Sequence, residues 1–123
     1  MKKMLLSLFG LLLIGAGCAV GSSVVIDQSS PEAVVDTYFS LFAEDPNSAL
    51  AVVSEEAQTT SRFERNWEEL QTWVYTDYKI NEVRAPYVEV MMEITIEGEA
   101  ESGTDEFTVE EIDGKWWITD IPS

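Results

Sequence analysis

The sequence contains no histidine, and that one absence removes several chemistries. Serine–histidine–acid and cysteine–histidine nucleophiles need an imidazole base, and imidazole zinc sites need the same ring. Cys18 is the single cysteine, so no disulfide forms within the chain and the fold must rest on packing. Positive charge is scarce: seven Lys and Arg stand against 23 Asp and Glu, a net charge of −16. Phosphate backbones need a basic footprint, so nucleic acid is not an expected partner. No glycine-rich loop follows a strand and no Asp-x-Asp-x-Asp-Gly loop is present, so neither a cofactor nor a metal is expected. The 123 residues suffice for one domain with one core.

The N-terminus has the layout of an export signal. Lys2 and Lys3 are basic, Met4 to Ile14 are almost all apolar, and Gly15-Ala16-Gly17 are small. Eleven helical residues rise about 16 Å, against about 30 Å of hydrocarbon in a bilayer, so cleavage fits better than a membrane span. Cleavage also removes two cations, leaving Arg62, Arg65, Lys79, Arg84 and Lys115 against all 23 acids.

Gly15-Ala16-Gly17-Cys18 resembles the lipobox of bacterial lipoproteins at three positions, departing from it at Gly15, where that family usually carries a branched aliphatic residue. The resemblance implies a diacylglyceryl thioether and an N-acyl chain on Cys18, hence a membrane-anchored envelope protein. Several acyl chains together make release negligible, whereas one is marginal. Ala19 offers no acidic retention signal, which favours the periplasmic face of the outer membrane. The expected organisation is a signal peptide over 1–17, a lipidated cysteine with a flexible tether over 18–29, and a domain over 30–123.

Within that domain the hydrophobic period changes once. Ser30-Pro31-Glu32 is a helix start, with proline at the position whose N–H is dispensable and acid near the positive end of the dipole. Val34, Val35, Tyr38, Phe39, Leu41 and Phe42 then form one helical stripe. Asp45-Pro46 predicts a second, short helix with Ala49, Leu50, Val52 and Val53. Ser61 and Glu64 read as a capping box for a third, whose apolar face is Phe63, Trp67, Leu70 and Val74.

From Tyr75 the period is two. Val88, Val90, Met92, Ile94 and Ile96 alternate with polar positions, which predicts a strand with one wet face carrying Glu89 and Glu93. Tyr78, Ile80 and Val83 predict a strand before it, ended by Pro86. Phe107 and Val109 predict one after a loop from Gly98 to Gly103, and Asp113-Gly114 a hairpin turn into a last strand. Glu97, Glu99, Glu101, Asp105 and Glu106 read as a solvated hairpin tip. The expected fold is α+β, with N-terminal helices packed on a curved antiparallel sheet of about four strands.

That order, with the opening Ser30-Pro31-Glu32-Ala33-Val34-Val35 and the ending Asp113-Gly114-Lys115-Trp116-Trp117-Ile118, resembles the nuclear-transport-factor-two-like superfamily. The resemblance implies a cone with an internal pocket. It implies no activity, since this fold hosts isomerases, dehydratases and binding modules alike.

Enzymes of that superfamily place a carboxylate and a phenol inside the cone. Here the candidates are Tyr38 and Tyr78 as phenols and Glu111 as an inward acid. Trp116 and Trp117 must face opposite sides of their strand, so one belongs to the core and the other, Trp117, can anchor a ligand or a second copy of the chain. The function expected from the residues is non-enzymatic binding of an envelope protein or a small apolar ligand, with carboxylate–phenol isomerase or lyase chemistry and structural self-association as the alternatives.

Overall fold

The computed structural model describes residues 24–122. The signal sequence expected over 1–17 and Cys18, expected to carry the lipid, lie outside the described residues.

Helix α1 spans Pro31–Glu44 and starts as its sequence dictates: Ser30 is extended, and its hydroxyl accepts from the Ala33 N–H at 3.0 Å. All six residues of the expected stripe are buried. Asp45 closes α1 by donating its N–H to the Leu41 carbonyl, then caps the next segment by accepting from the Asn47 N–H. That segment, Pro46–Val52, is a 3-10 helix rather than the expected α-helix. Its buried residues, Ala49 and Val52, are three apart and so lie on one side of it at three residues per turn.

Three features of the following helices differ from expectation. A short helix α2, Glu55–Gln58, is capped by Ser54, whose hydroxyl accepts from the Ala57 N–H. Helix α3, Ser61–Leu70, is capped by Thr60 rather than Ser61: the Thr60 hydroxyl accepts from Phe63 N–H at 3.1 Å, which puts Ser61 inside the first turn. Phe63, Trp67 and Leu70 are buried, but the helix stops at Leu70, and Val74 lies in a strand, 58% exposed.

The sheet is a meander of four antiparallel strands in sequence order: β1 Trp73–Arg84, β2 Tyr87–Ile96, β3 Glu99–Ile112 and β4 Lys115–Asp120. Val88, Val90 and Met92 point into the core from β2, while Tyr87, Met91 and Glu93 are exposed on the opposite face. All three hairpins turn in two residues, Ala85-Pro86 between β1 and β2 included, and two of these turns have positive φ at both positions. Asp113-Gly114 is one, with φ of 53° and 81°; Glu97-Gly98 is the other, with 51° and 84°. Positive φ at both central positions matches the strand twist, as hairpins require. The loop expected over Gly98 to Gly103 is therefore only the start of β3, and the acidic residues expected at a hairpin tip lie mostly along a strand.

The helices cover one sheet face. Tyr38 packs edge-on against Phe107 at 5.0 Å between ring centroids, Phe39 against Phe107 at 5.6 Å, and Phe42 against Trp67 at 5.9 Å. These rings fill the space between α1 and the strands. The structure is thus α+β, with N-terminal helices packed on a four-strand antiparallel sheet. Among the described residues no helix is long and apolar enough to cross a membrane.

Part of the segment expected as a free tether is held against the domain. Asp27 N–H donates to the Thr37 hydroxyl at 3.1 Å, and that hydroxyl donates back to the Asp27 carbonyl at 3.2 Å. Gln28 accepts from the Trp116 N–H through its carbonyl, and its amide donates to the Trp116 carbonyl. Thr37 is buried at α1 and Trp116 is on β4, so residues 27 and 28 clip helix to sheet.

Candidate functional site

The structure separates the three residues singled out for binding. Tyr38 is fully buried in the aromatic layer. Tyr78 is on the rim: its ring stacks on Phe39 at 4.1 Å, and its hydroxyl donates to Asp36 Oδ1 at 2.6 Å. Partial burial, and then the Asp36 carboxylate, push the Tyr78 phenol well above its usual pKa. Trp117 lies elsewhere, beside the β3–β4 turn. Glu111 has inward parity on β3, pairing with Trp116, but it sits close to the Asp113-Gly114 turn and is exposed. It is not the inward acid expected.

Two polar residues missed by sequence reasoning face the core instead. Tyr75 lies against Phe42 at 4.8 Å and Phe39 at 4.9 Å, and its hydroxyl and that of Tyr38 are buried near each other, neither making a hydrogen bond of good geometry. Burial raises the Tyr75 pKa to about 12; the neighbouring Tyr38 hydroxyl draws it down, and the charge of Asp105 raises it again. Burial likewise raises Tyr38 well above its usual value, reinforced by Tyr75. Asp105 pairs with Val90 across β2 and β3, so it shares the helix-facing side of the sheet. The signal that could have found it is the Glu97-Gly98 turn. Once that turn is placed, Val90 and Asp105 are opposite each other and parity does the rest.

The groove at Trp117 is the most open apolar site of the three. It encloses about 570 Å³ between β4, the β3–β4 turn and the start of α2, and is lined by Trp117, Ile112, Lys115, Ser54, Glu55 and Glu56, with Asp113 at the turn. Its position follows from the strand pattern. Ile118 points into the core, fully buried, so Trp117 and Lys115 point the other way. Ser54 is fixed beside them because its N–H donates to the Ile118 carbonyl at 2.9 Å, continuing a parallel bridge between Val53 and Ile118. An indole and an isoleucine side chain, 39% exposed, therefore sit beside three carboxylates and one ammonium.

A second open trough, of about 510 Å³, runs along the N-terminal half of α1 and is lined by Asp27, Glu32, Asp36 and Tyr78 among others. Its Asp27 carboxylate accepts from the hydroxyl and N–H of Ser29, which lowers its pKa. Among the described residues no group of three or more acids is arranged to hold a metal ion.

No known family model matches the sequence, and no curated protein matches it. The fold does have a counterpart. The solution structure of a SEC-C motif containing protein from Rhodopseudomonas palustris superposes with a TM-score of 0.59 at 14% identity, covering 75% of this chain and 77% of the other. At that identity the likeness is one of fold.

Proposed function

We propose that this protein is a bacterial envelope lipoprotein, anchored through Cys18 at the periplasmic face of the outer membrane, whose nuclear-transport-factor-two-like domain is a non-enzymatic binding module. Its partner is a protein segment that places an apolar side chain on Trp117 and Ile112 and basic residues against Glu55, Glu56 and Asp113. The observation that carries this reading is the groove itself. Its indole has an apolar neighbour in an otherwise strongly acidic surface, and indoles dominate binding energies where water is excluded around them. The lipobox-like Gly15-Ala16-Gly17-Cys18 supports the anchor, and the helix-on-sheet order with the Asp113-Gly114-Lys115-Trp116 hairpin supports the superfamily.

The test is photo-crosslinking from position 112 in native envelopes, with the attached peptide identified by mass spectrometry. The expected result is a basic, apolar segment of an envelope protein, lost when Trp117→Ala is combined with the crosslinker. Crosslinks only to a second copy, or a pattern indifferent to Trp117→Ala, contradict the reading.

Tyr38, Tyr75 and Asp105 favour a second reading, an isomerase or lyase in which Asp105 takes a proton and a neutral phenol donates one. The roles first assigned to Tyr78 and Glu111 pass to Tyr75 and Asp105. Turnover of a carbonyl substrate abolished by both Tyr75→Phe and Asp105→Asn would establish it; a domain without such turnover rules it out.

A further inference from the structure

The three edge segments of this sheet are treated differently. On β4, Trp116 is paired with Gln28 and Ile118 with Ser54. On β1 the pairing with β2 is interrupted after Tyr75 and after Ile80, and the outward N–H of Tyr78 is satisfied by the Asp77 carboxylate at 2.9 Å. Bulges and charged side chains along an edge are ways of blunting it. The third segment is the first half of β3. There the ladder with β2 runs from Glu99 to Thr108 without a register shift, and β4 pairs only from Thr108 onward.

The Glu97-Gly98 turn makes Ile96 and Glu99 a hydrogen-bonded pair, so alternation sends the N–H and C=O of Ala100, Ser102 and Thr104 away from β2. No described strand meets them. The next outward N–H, that of Glu106, is taken by the Asp105 carboxylate at 2.8 Å, which closes the segment.

We infer that this stretch of β3 is a strand-addition site for an extended peptide with basic side chains on one face and apolar side chains on the other. An added strand would hydrogen-bond to Ala100, Ser102 and Thr104, the source of affinity in such complexes, while side-chain positions set its specificity. On the helix-facing side it would meet Glu99, Glu101 and Asp105, separated by Gly103, which calls for lysine or arginine. On the opposite side it would meet the small side chains of Ala100, Ser102 and Thr104. Behind these lies a hollow of about 370 Å³ bounded by Asp77, Lys79, Met91 and Glu93, with Met91 about half exposed, which calls for an apolar side chain.

A second copy of this chain fits poorly. Antiparallel pairing of two such edges about Ser102 sets Glu99 of one copy against Asp105 of the other, between molecules that each carry −16. The inference rests on the binding-module reading but uses a surface distinct from the Trp117 groove.

The test uses the full chain and a capped peptide of alternating lysine and valine, about eight residues long to span the edge, with an alternating glutamate–valine peptide as control. Amide exchange at Ala100, Ser102 and Thr104 should slow on adding the lysine peptide and not the control. Ser102→Pro removes an N–H that has no partner in the free protein, so it should preserve the fold and weaken the peptide by about tenfold or more. Glu101→Lys should weaken it several-fold, and Trp117→Ala should leave the slowing at these three amides unchanged. No slowing at these three amides, equal binding by a folded Ser102→Pro, or protection in the free protein through a dimer would each overturn the inference. A failed groove with slowed β3 amides separates the two surfaces.

Discussion

Gln28 and Trp116 exchange two hydrogen bonds of 2.9 Å, one through the main chain and one through the glutamine amide, so a single residue before α1 stands in for a neighbouring strand. With Thr37 holding Asp27, and Val24 packed against the core, the chain is already part of the domain before α1.

Replacing Gln28 with alanine removes the side-chain bond and leaves the main-chain one. Since Gln28 is partly buried, the expected loss is about 1 kcal/mol in denaturant unfolding, with no change in the sheet. An unchanged midpoint would mean that the clip adds nothing to stability.

Tyr38→Phe should leave stability unchanged or raise it by about 1 kcal/mol, because it deletes a buried hydroxyl that makes no hydrogen bond of good geometry while keeping the ring contacts to Phe39 and Phe107. A loss of more than about 1 kcal/mol in the same assay would show that the hydroxyl is hydrogen-bonded in solution. Phe107→Ala gives the contrast. Phe107 is fully buried and contacts two rings, so truncation should cost about 3–5 kcal/mol by thermal or urea unfolding.

Alkaline stability follows from Tyr75. Its pKa is raised in the folded state to about 12 from the usual 10.0, so folding favours the neutral phenol. That contribution is fully present below pH 10.0 and is lost as pH rises through about 12. Two units correspond to roughly 3 kcal/mol. Unfolding followed by phenolate absorbance should therefore show stability falling across this window, with Tyr38 acting in the same direction, and Tyr75→Phe should shallow the fall.

What the sequence disclosed depended on whether local rules acted alone. Ser30-Pro31 and the stripe from Val34 to Phe42 specify α1 without reference to anything else. The alternation from Val88 to Ile96 specifies β2, and Asp113-Gly114 specifies a turn. The other turn was opaque because Glu97 occupies a position of positive φ where glycine or asparagine is usual, and because Gly98 and Gly103 bracket a polar run that reads as a loop. Missing that turn hid the register of β3, and with it both the inward placement of Asp105 and the unpaired edge from Ala100 to Thr104. Glu111 misled for a related reason: its parity is right, but its distance along the strand puts it past the covered part of the sheet.

The proposed anchor would decide which neighbours this domain meets, and one measurement addresses it directly: intact mass and N-terminal peptide analysis of the protein extracted from its own cells. The account predicts a chain beginning at Cys18, with the mass of a diacylglyceryl group on its sulfur and an acyl group on its nitrogen. A chain that keeps Met1, or one carrying a free thiol at residue 18, would contradict it.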